Sequence, residues 1–160
     1  MHGSPIAMAR WIALLLPLAL LAGAWGSQLI GGLYPCEMCH WQRWPHYVAV
    51  LIAVLAFVVP RTDARRALIV LAAIAIAISG AIGAFHAGVE YGWWTGFTAC
   101  TAPAHGGSPG DLLKDIINAP IVRCDRAPWA LFGLISLAGF NAILSLGGAA
   151  AILWLMGRKA

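Results

Sequence analysis

Four cysteines are the residues of this sequence best suited to chemistry, and two of them, Cys36 and Cys39, form a C-x-x-C pair. A disulfide within such a pair closes a very small ring, so it gains little stability from loop entropy. Pairs with this spacing serve better as redox couples with a lowered thiol pKa. The pair also lies where a helix is predicted to begin, and the positive end of that helix would stabilise a thiolate. The spacing therefore predicts thiol–disulfide chemistry at Cys36 and Cys39.

The other two cysteines, Cys100 and Cys124, flank a stretch rich in glycine and proline at residues 102–110. A mobile loop of this kind could carry a disulfide to a partner protein, because thiol–disulfide exchange requires access to sulfur. An even number of cysteines in an oxidising compartment favours disulfides. The alternative is that the four cysteines form two inert disulfides that brace the outer loops.

Arg43 and His86 are the candidate residues for binding an electron acceptor beside the cysteines. Arg43 follows Cys39 by four residues, so on a helix it lies one turn along the same face, where a guanidinium would stabilise a thiolate or an anionic acceptor oxygen. The alternative for Arg43 is an interfacial arginine whose head group extends to water. His86, four residues before Glu90, could donate a hydrogen bond to a quinone carbonyl in a pocket between helices, or serve as an interfacial hydrogen-bonding group.

Residues 36–40 also match C-x-x-C-H, the attachment motif of c-type haem, in which both thiols become thioethers and His40 an axial ligand. Against haem, the motif adjoins a predicted membrane span, which leaves little protein to wrap the group. Haem would also leave Cys100 and Cys124 unexplained. A zinc site is disfavoured because these two cysteines lack the close spacing of structural sites, so no metal is predicted.

The segments that must position these groups are strongly apolar. The chain has 160 residues, of which 61% are hydrophobic and 10% charged, whereas a soluble domain carries about 25% charged residues. Long apolar runs indicate a membrane-embedded protein. The net charge of +4 is scattered, so it does not favour nucleic-acid binding. The sequence has no fingerprint for binding NAD or flavin, which favours a lipid-soluble electron acceptor.

Four transmembrane helices are predicted, in an all-α bundle that forms a single membrane domain over residues 8–160. The spans are residues 11–30, 41–59, 67–87 and 129–156. Residues 1–7 are expected to be a tag or a disordered N-terminus. Asn141, within the fourth span, is predicted to join helices by hydrogen bonds. Pro45 would require the second helix to begin near Gln42, because only first-turn N–H groups lack a helical partner.

The orientation follows from the distribution of basic residues, which are dense in the short segments on one side of the predicted membrane. We therefore expect both termini to be cytoplasmic and all four cysteines to lie outside. The loop at residues 88–128 would then be external. Within it, Ser108-Pro109-Gly110-Asp111 predicts the start of a short amphipathic surface helix. The cytoplasmic basic residues would be Arg10, Arg61, Arg65, Arg66, Arg158 and Lys159.

Taken in order along the chain, these motifs resemble the disulfide bond formation protein B (DsbB) family of quinone-linked thiol oxidases. The similarity covers nearly all of the chain from about Met8. In the vitamin K epoxide reductase family, which shares a four-helix core, the loop cysteines precede the C-x-x-C pair, whereas here the pair comes first. The segments that carry the resemblance are residues 34–43, residues 86–92, Cys100, Cys124-Asp125 and residues 128–134.

The resemblance implies a thiol:quinone oxidoreductase in the bacterial inner membrane, with its active site on the periplasmic side. Its partner would be a DsbA-like periplasmic dithiol oxidase, which it would reoxidise. By the same resemblance, Cys100 would form the mixed disulfide with this partner. Cys124 would pair with Cys100 and then exchange with Cys36.

The resemblance also assigns the residues at the acceptor, which would be ubiquinone or menaquinone. Cys39 would face the quinone, and Arg43 would hold the Cys39 thiolate. His86 matches a family residue near the quinone ring. The loop between Cys100 and Cys124 departs from the family pattern, being short and rich in glycine.

Overall fold

Four helices and one short two-stranded ladder form the part of the chain that the structure, a computed structural model, describes: residues 4–96, 98, 110, 117 and 122–158. The ladder is antiparallel, with Ala130 opposite Ser136. The elements are α1 (Pro5–Leu29), α2 (Glu37–Val58), α3 (Thr62–Glu90), β1 (Ala130–Leu131), β2 (Ile135–Ser136) and α4 (Leu137–Gly157). The prediction of a helical bundle is confirmed. Cys100 and almost all of the predicted surface helix lie outside the described residues.

The first helix begins earlier than its predicted span. Ser4 is the N-cap, and its hydroxyl accepts a hydrogen bond from the backbone N–H of Ala7 at 3.3 Å. Pro5 occupies the first helical position, where a missing N–H costs nothing. Residues 5–7, expected to be a tag or disordered, therefore form the first turn of α1.

The fourth helix begins eight residues later than the predicted span. Residues 130–136 form a hairpin instead, in which the backbone N–H of Leu134 donates to the carbonyl of Leu131 at 2.9 Å. Phe132 has φ 50° and Gly133 has φ 71°, and positive φ at both central residues is the geometry of a tight hairpin turn. The prediction was wrong here because this turn consists of apolar residues and so looks continuous with the helix in hydropathy.

The second helix contradicts the expectation for Pro45. It begins at Glu37, because Cys36 is the N-cap and its sulfur accepts from the backbone N–H of Cys39 at 3.3 Å. Pro45 therefore lies inside α2, where it removes one helical hydrogen bond. The hydroxyl of Ser79 donates to the carbonyl of Gln42 in this turn at 2.7 Å. Such side-chain hydrogen bonds help membrane helices to tolerate an interior proline.

The helices run alternately up and down, as contacts at one end of the bundle demonstrate. Arg10, near the start of α1, lies over the ring of Phe57, near the end of α2, at 4.2 Å. Arg66, near the start of α3, donates to the carbonyl of Met156, near the end of α4, at 3.1 Å. A buried core rich in alanine fills this half of the bundle. A second, smaller buried cluster with Cys36 and Cys124 lies at the opposite end.

Three of the four helices are long and apolar enough to cross a membrane: α1, α3 and α4, with mean hydropathy of 2.0, 2.6 and 1.6. The helix α2 is not among the helices that are long and apolar enough to cross a membrane. Its first three turns contain Glu37, Gln42, Arg43 and His46. These polar side chains lower the mean hydropathy of α2. With 22 residues, α2 is still about 33 Å long at 1.5 Å per residue.

A glycine on α3 allows α4 to approach closely. A Cβ atom at Gly83 would lie 2.9 Å from the side-chain nitrogen of Asn141 and 3.0 Å from the carbonyl oxygen of Ala138. We expect Gly83→Ala to lower the stability of the bundle by about 1–3 kcal/mol, because overpacking forces the helices apart. Thermal unfolding in detergent would measure the change.

The matched control for this substitution is Gly23→Ala on α1, where an added Cβ meets nothing within 4 Å. Alanine is a better helix former than glycine by about 1 kcal/mol, so this variant should be neutral or more stable. Equal melting temperatures for both variants would contradict a close contact between α3 and α4 at Gly83.

Candidate active site

The two thiols of the C-x-x-C pair lie together at the start of α2. The distance between the Cys36 and Cys39 sulfurs is 3.0 Å, with Cys36 as donor. Both cysteines are free thiols in this structure. Cys36 is buried, whereas Cys39 is partly exposed. Cys36 therefore carries the inner sulfur of the pair, and Cys39 carries the outer sulfur.

Hydrogen bonding makes these two sulfurs chemically unequal. Both cysteines lie outside the predicted second membrane span, which begins at Trp41. The hydrogen bond to Cys39, reinforced by burial, raises the pKa of the Cys36 thiol. The same bond, received from Cys36, lowers the pKa of the Cys39 thiol, and the charge of Arg43 acts in the same direction. Cys39 is consequently the sulfur that exists more readily as a thiolate, the nucleophilic form.

The unequal pKa values predict how Cys39 reacts at different pH. A lowered pKa means that the thiolate is present above this lowered value and is lost as the pH falls through it. Cys36→Ala removes the hydrogen-bond donor, so alkylation of Cys39 by iodoacetamide should require higher pH. Cys36→Ser retains an O–H donor and should shift the midpoint less. Mass spectrometry of the Cys39 peptide across a pH series gives the midpoints, and identical profiles for both variants and the parent would rule out this stabilisation.

Cys124 belongs to the same buried cluster as the C-x-x-C pair. The cluster contains Cys36, Met38, Val89 and Cys124, and Cys39 packs against it. Cys124 is completely buried and disulfide-bonded. Cys100, which the resemblance implies as its partner, is not among the described residues. The fold thus brings together three of the four cysteines for which thiol–disulfide chemistry was predicted.

His86 lies behind the thiol pair rather than beside the outer sulfur. Its Nε2 is 3.6 Å from the Cys36 sulfur and 3.7 Å from a carboxylate oxygen of Glu90. Its ring also interacts with the backbone of Cys124. His86 thus contacts the inner sulfur, on the α3 side of the pair.

A cavity of about 230 Å³ opens on the opposite side of Cys39, between α1, α2 and α4. Its wall is mostly apolar, with polar groups concentrated on α2. His86 does not line it, so its predicted role at the quinone stays a prediction. The polar side chains that line the cavity are Ser27, Tyr34, Cys39, Gln42, Arg43, His46 and Asn141.

Arg43 is held rigidly in the wall of this cavity. Its guanidinium donates to Gln28 Oε1 at 2.8 Å and to the carbonyl of Ala24 at 3.1 Å. It also lies over the ring of Trp25 at 5.3 Å. Arg43 is buried, so it does not extend to water as the interfacial alternative required. Because a guanidinium has five N–H donors, several remain for another oxygen.

Sequence reasoning missed Gln28, Gln42 and His46 as parts of this site. Polar residues inside predicted spans are costly and therefore suggest function, and this signal was present in the sequence. It could not say which of them meet, because they come from different helices. Asn141 was predicted to join helices, and its amide contacts Gln42 at 2.9 Å and Ser79 at 3.1 Å.

The donor atoms of Cys36, Cys39 and His86 lie within 4.8 Å of one another, which is close enough to hold a metal ion. The prediction of no metal did not consider this triad, because it evaluated only the spacing of cysteines. For haem the geometry is less suitable. Cys36 is only 5% exposed, whereas attachment requires both sulfurs to reach the haem edge.

Comparison with known proteins identifies a family. The family model described as "Disulfide bond formation protein DsbB" matches residues 7–155, nearly the whole chain. No curated protein and no solved structure matches this chain.

Proposed function

The chain belongs to the DsbB family of disulfide bond formation proteins, and from this premise we propose that it is a thiol:quinone oxidoreductase. It would take electrons from a DsbA-like dithiol protein and pass them to ubiquinone or menaquinone. The observation that carries the proposal is the cavity in which Cys39 and Arg43 share one wall. This cavity pairs a sulfur prone to form a thiolate with a fixed positive charge.

The groups around the cavity suit a quinone head group. The apolar wall fits a ring, and the remaining N–H groups of Arg43 fit a carbonyl oxygen that gains negative charge. A bound quinone supplies an acceptor for two electrons and two protons. Arg43 would bind and orient it, and the apolar residues of α1 and α4 would exclude water. Cys39 would face it with the lone pair of its thiolate.

Electrons would reach Cys39 by exchange among the cysteines of the chain. The step starts from the oxidised form of the pair, in which a disulfide joins Cys36 and Cys39. A thiolate on Cys124 would attack Cys36; the Cys124–Cys36 bond forms, and the Cys36–Cys39 bond breaks with its electron pair on Cys39. Shared membership of Cys36 and Cys124 in one buried cluster supports this step. The Cys124 thiolate would arise when the DsbA-like protein attacks Cys100, which breaks the bond between Cys100 and Cys124.

We also propose that α2 is a fourth transmembrane helix and that both termini are cytoplasmic. The alternating helix directions support this arrangement, because the thiol cluster and the arginine-rich end lie at opposite ends of the bundle. Basic residues favour the cytoplasmic side. The thiols would then lie at the periplasmic face, where exchange with a soluble partner is feasible.

The test is reduction of a soluble ubiquinone analogue by the purified protein in detergent, followed by absorbance. We expect reduction when a reduced DsbA-like protein is added, and none with the same protein in its oxidised form. A red product with covalently attached haem would favour the haem alternative. Stability losses in Cys→Ala variants, with no redox activity in the parent protein, would favour purely structural disulfides.

A further inference from the structure

A buried hydrogen-bonded chain connects α2, α3 and α4 beneath the thiols, and Gln42 is its centre. The side-chain nitrogen of Gln42 is 3.2 Å from the carbonyl oxygen of Met38 and 2.8 Å from Nδ1 of His86. A backbone carbonyl can only accept, so the Gln42 atom beside it must be the NH₂ group. The Gln42 amide therefore donates toward His86.

The other end of the Gln42 amide is fixed in the same way. The side-chain nitrogen of Asn141 lies 3.1 Å from the backbone carbonyl oxygen of Ser79, so it too must be the donor. The same nitrogen donates to Gln42 Oε1 at 2.9 Å. Two backbone carbonyls on two helices thus determine the orientation of both amides, and neither can be reversed without losing hydrogen bonds.

This orientation decides which nitrogen of His86 carries the proton. Since Nδ1 receives an N–H from Gln42, it must be the bare acceptor, and the neutral imidazole holds its proton on Nε2. The Nε2 atom faces the Cys36 sulfur at 3.6 Å and a Glu90 carboxylate oxygen at 3.7 Å, and the backbone of Cys124 also lies against the ring. We infer that Gln42, anchored by Asn141, is a positioning residue that selects the His86 tautomer whose N–H faces Cys36.

The consequence for chemistry, which rests on the proposed function, concerns the charge on Cys36. When a thiolate attacks Cys124 in a Cys36–Cys124 disulfide, a new bond to Cys124 forms and the old bond breaks with its electron pair on Cys36. The Nε2–H of His86 stabilises that charge without giving up its proton. The opposite tautomer would present a lone pair to the thiolate and would oppose the step.

The tautomer can be measured directly by NMR. Reduced protein labelled with ¹⁵N-histidine is placed in lipid nanodiscs, and two-bond ¹H–¹⁵N correlations reveal which ring nitrogen is protonated. The chain has five histidines, so the His86 signal is assigned by its loss in His86→Gln. We expect Nε2–H in the parent protein. In Gln42→Glu, which places a carboxylate acceptor against Nδ1, we expect protonation at Nδ1.

The matched control is Ser145→Ala, which removes a hydroxyl that donates to Asn141 Oδ1 at 2.9 Å but does not contact Gln42. It should leave the His86 tautomer unchanged. A second measurement is alkylation of Cys36 in a Cys39→Ser background, which should be about tenfold slower when Gln42→Glu is added, the effect of one lost hydrogen bond. A merely structural role of Gln42 would not move the tautomer.

Protonation of His86 at Nδ1 in the parent protein would overturn the inference, as would an Nε2–H tautomer that survives in folded Gln42→Glu. The parent result can still overturn the inference if the variant does not fold. None of these measurements involves a quinone. The expected tautomer together with failed quinone reduction would therefore refute the proposed function and leave the positioning role of Gln42 standing.

Discussion

Replacing Cys39 by serine is expected to abolish reduction of a soluble ubiquinone analogue while leaving the helical bundle folded. Cys39 is the only cysteine among those described that lines the cavity, so no other described sulfur can deliver electrons there. A serine hydroxyl has nearly the same size, but it cannot form a disulfide. Absorbance of the analogue after addition of a reduced DsbA-like protein measures the loss.

The control for Cys39→Ser is Ser27→Ala, which changes another polar residue of the same cavity wall. The hydroxyl of Ser27 donates to the carbonyl of Ala24 at 3.0 Å, within its own helix. This variant should retain most of the activity. Reduction that persists in Cys39→Ser at the parent rate would remove the basis of the proposed electron route.

Replacing Arg43 by leucine should have the second largest effect, a loss of about 10- to 100-fold in quinone reduction. Hydrogen bonds to charged groups contribute about 1.5–3 kcal/mol, and Arg43 also provides the fixed positive charge beside Cys39. Arg43→Lys keeps the charge but lacks the planar fork of donors that contacts Gln28 and Ala24. It should fall between the parent and the leucine variant.

Two measurements separate a role at the acceptor from loss of folding. The melting temperature of Arg43→Leu in detergent reports stability, and binding of the oxidised quinone analogue, followed by quenching of tryptophan fluorescence, reports affinity. The matched control is Arg61→Leu, an exposed arginine at the opposite end of the bundle. Equal losses of activity in Arg43→Leu and Arg61→Leu would argue against a special position for Arg43.

The apolar runs located all four long helices but misplaced where each of them begins. At the start of α4, Phe132 and Gly133 form a turn of apolar composition within the predicted span. The start of α2 was placed too late, since a cysteine N-cap at Cys36 is not among the usual capping residues. These errors are local, and all concern where a helix begins.

The sequence by itself determined which groups are available for the proposed chemistry: a C-x-x-C pair, an arginine four residues later and two further cysteines. These signals lie within short segments, where spacing along a helix fixes which residues share a face. Only the tertiary structure decided that the cavity lies on the Cys39 side, that His86 contacts Cys36, and that Gln42 connects His86 to Asn141. Those contacts join residues 44 to 99 positions apart. They depend on how four helices pack, which no local pattern encodes.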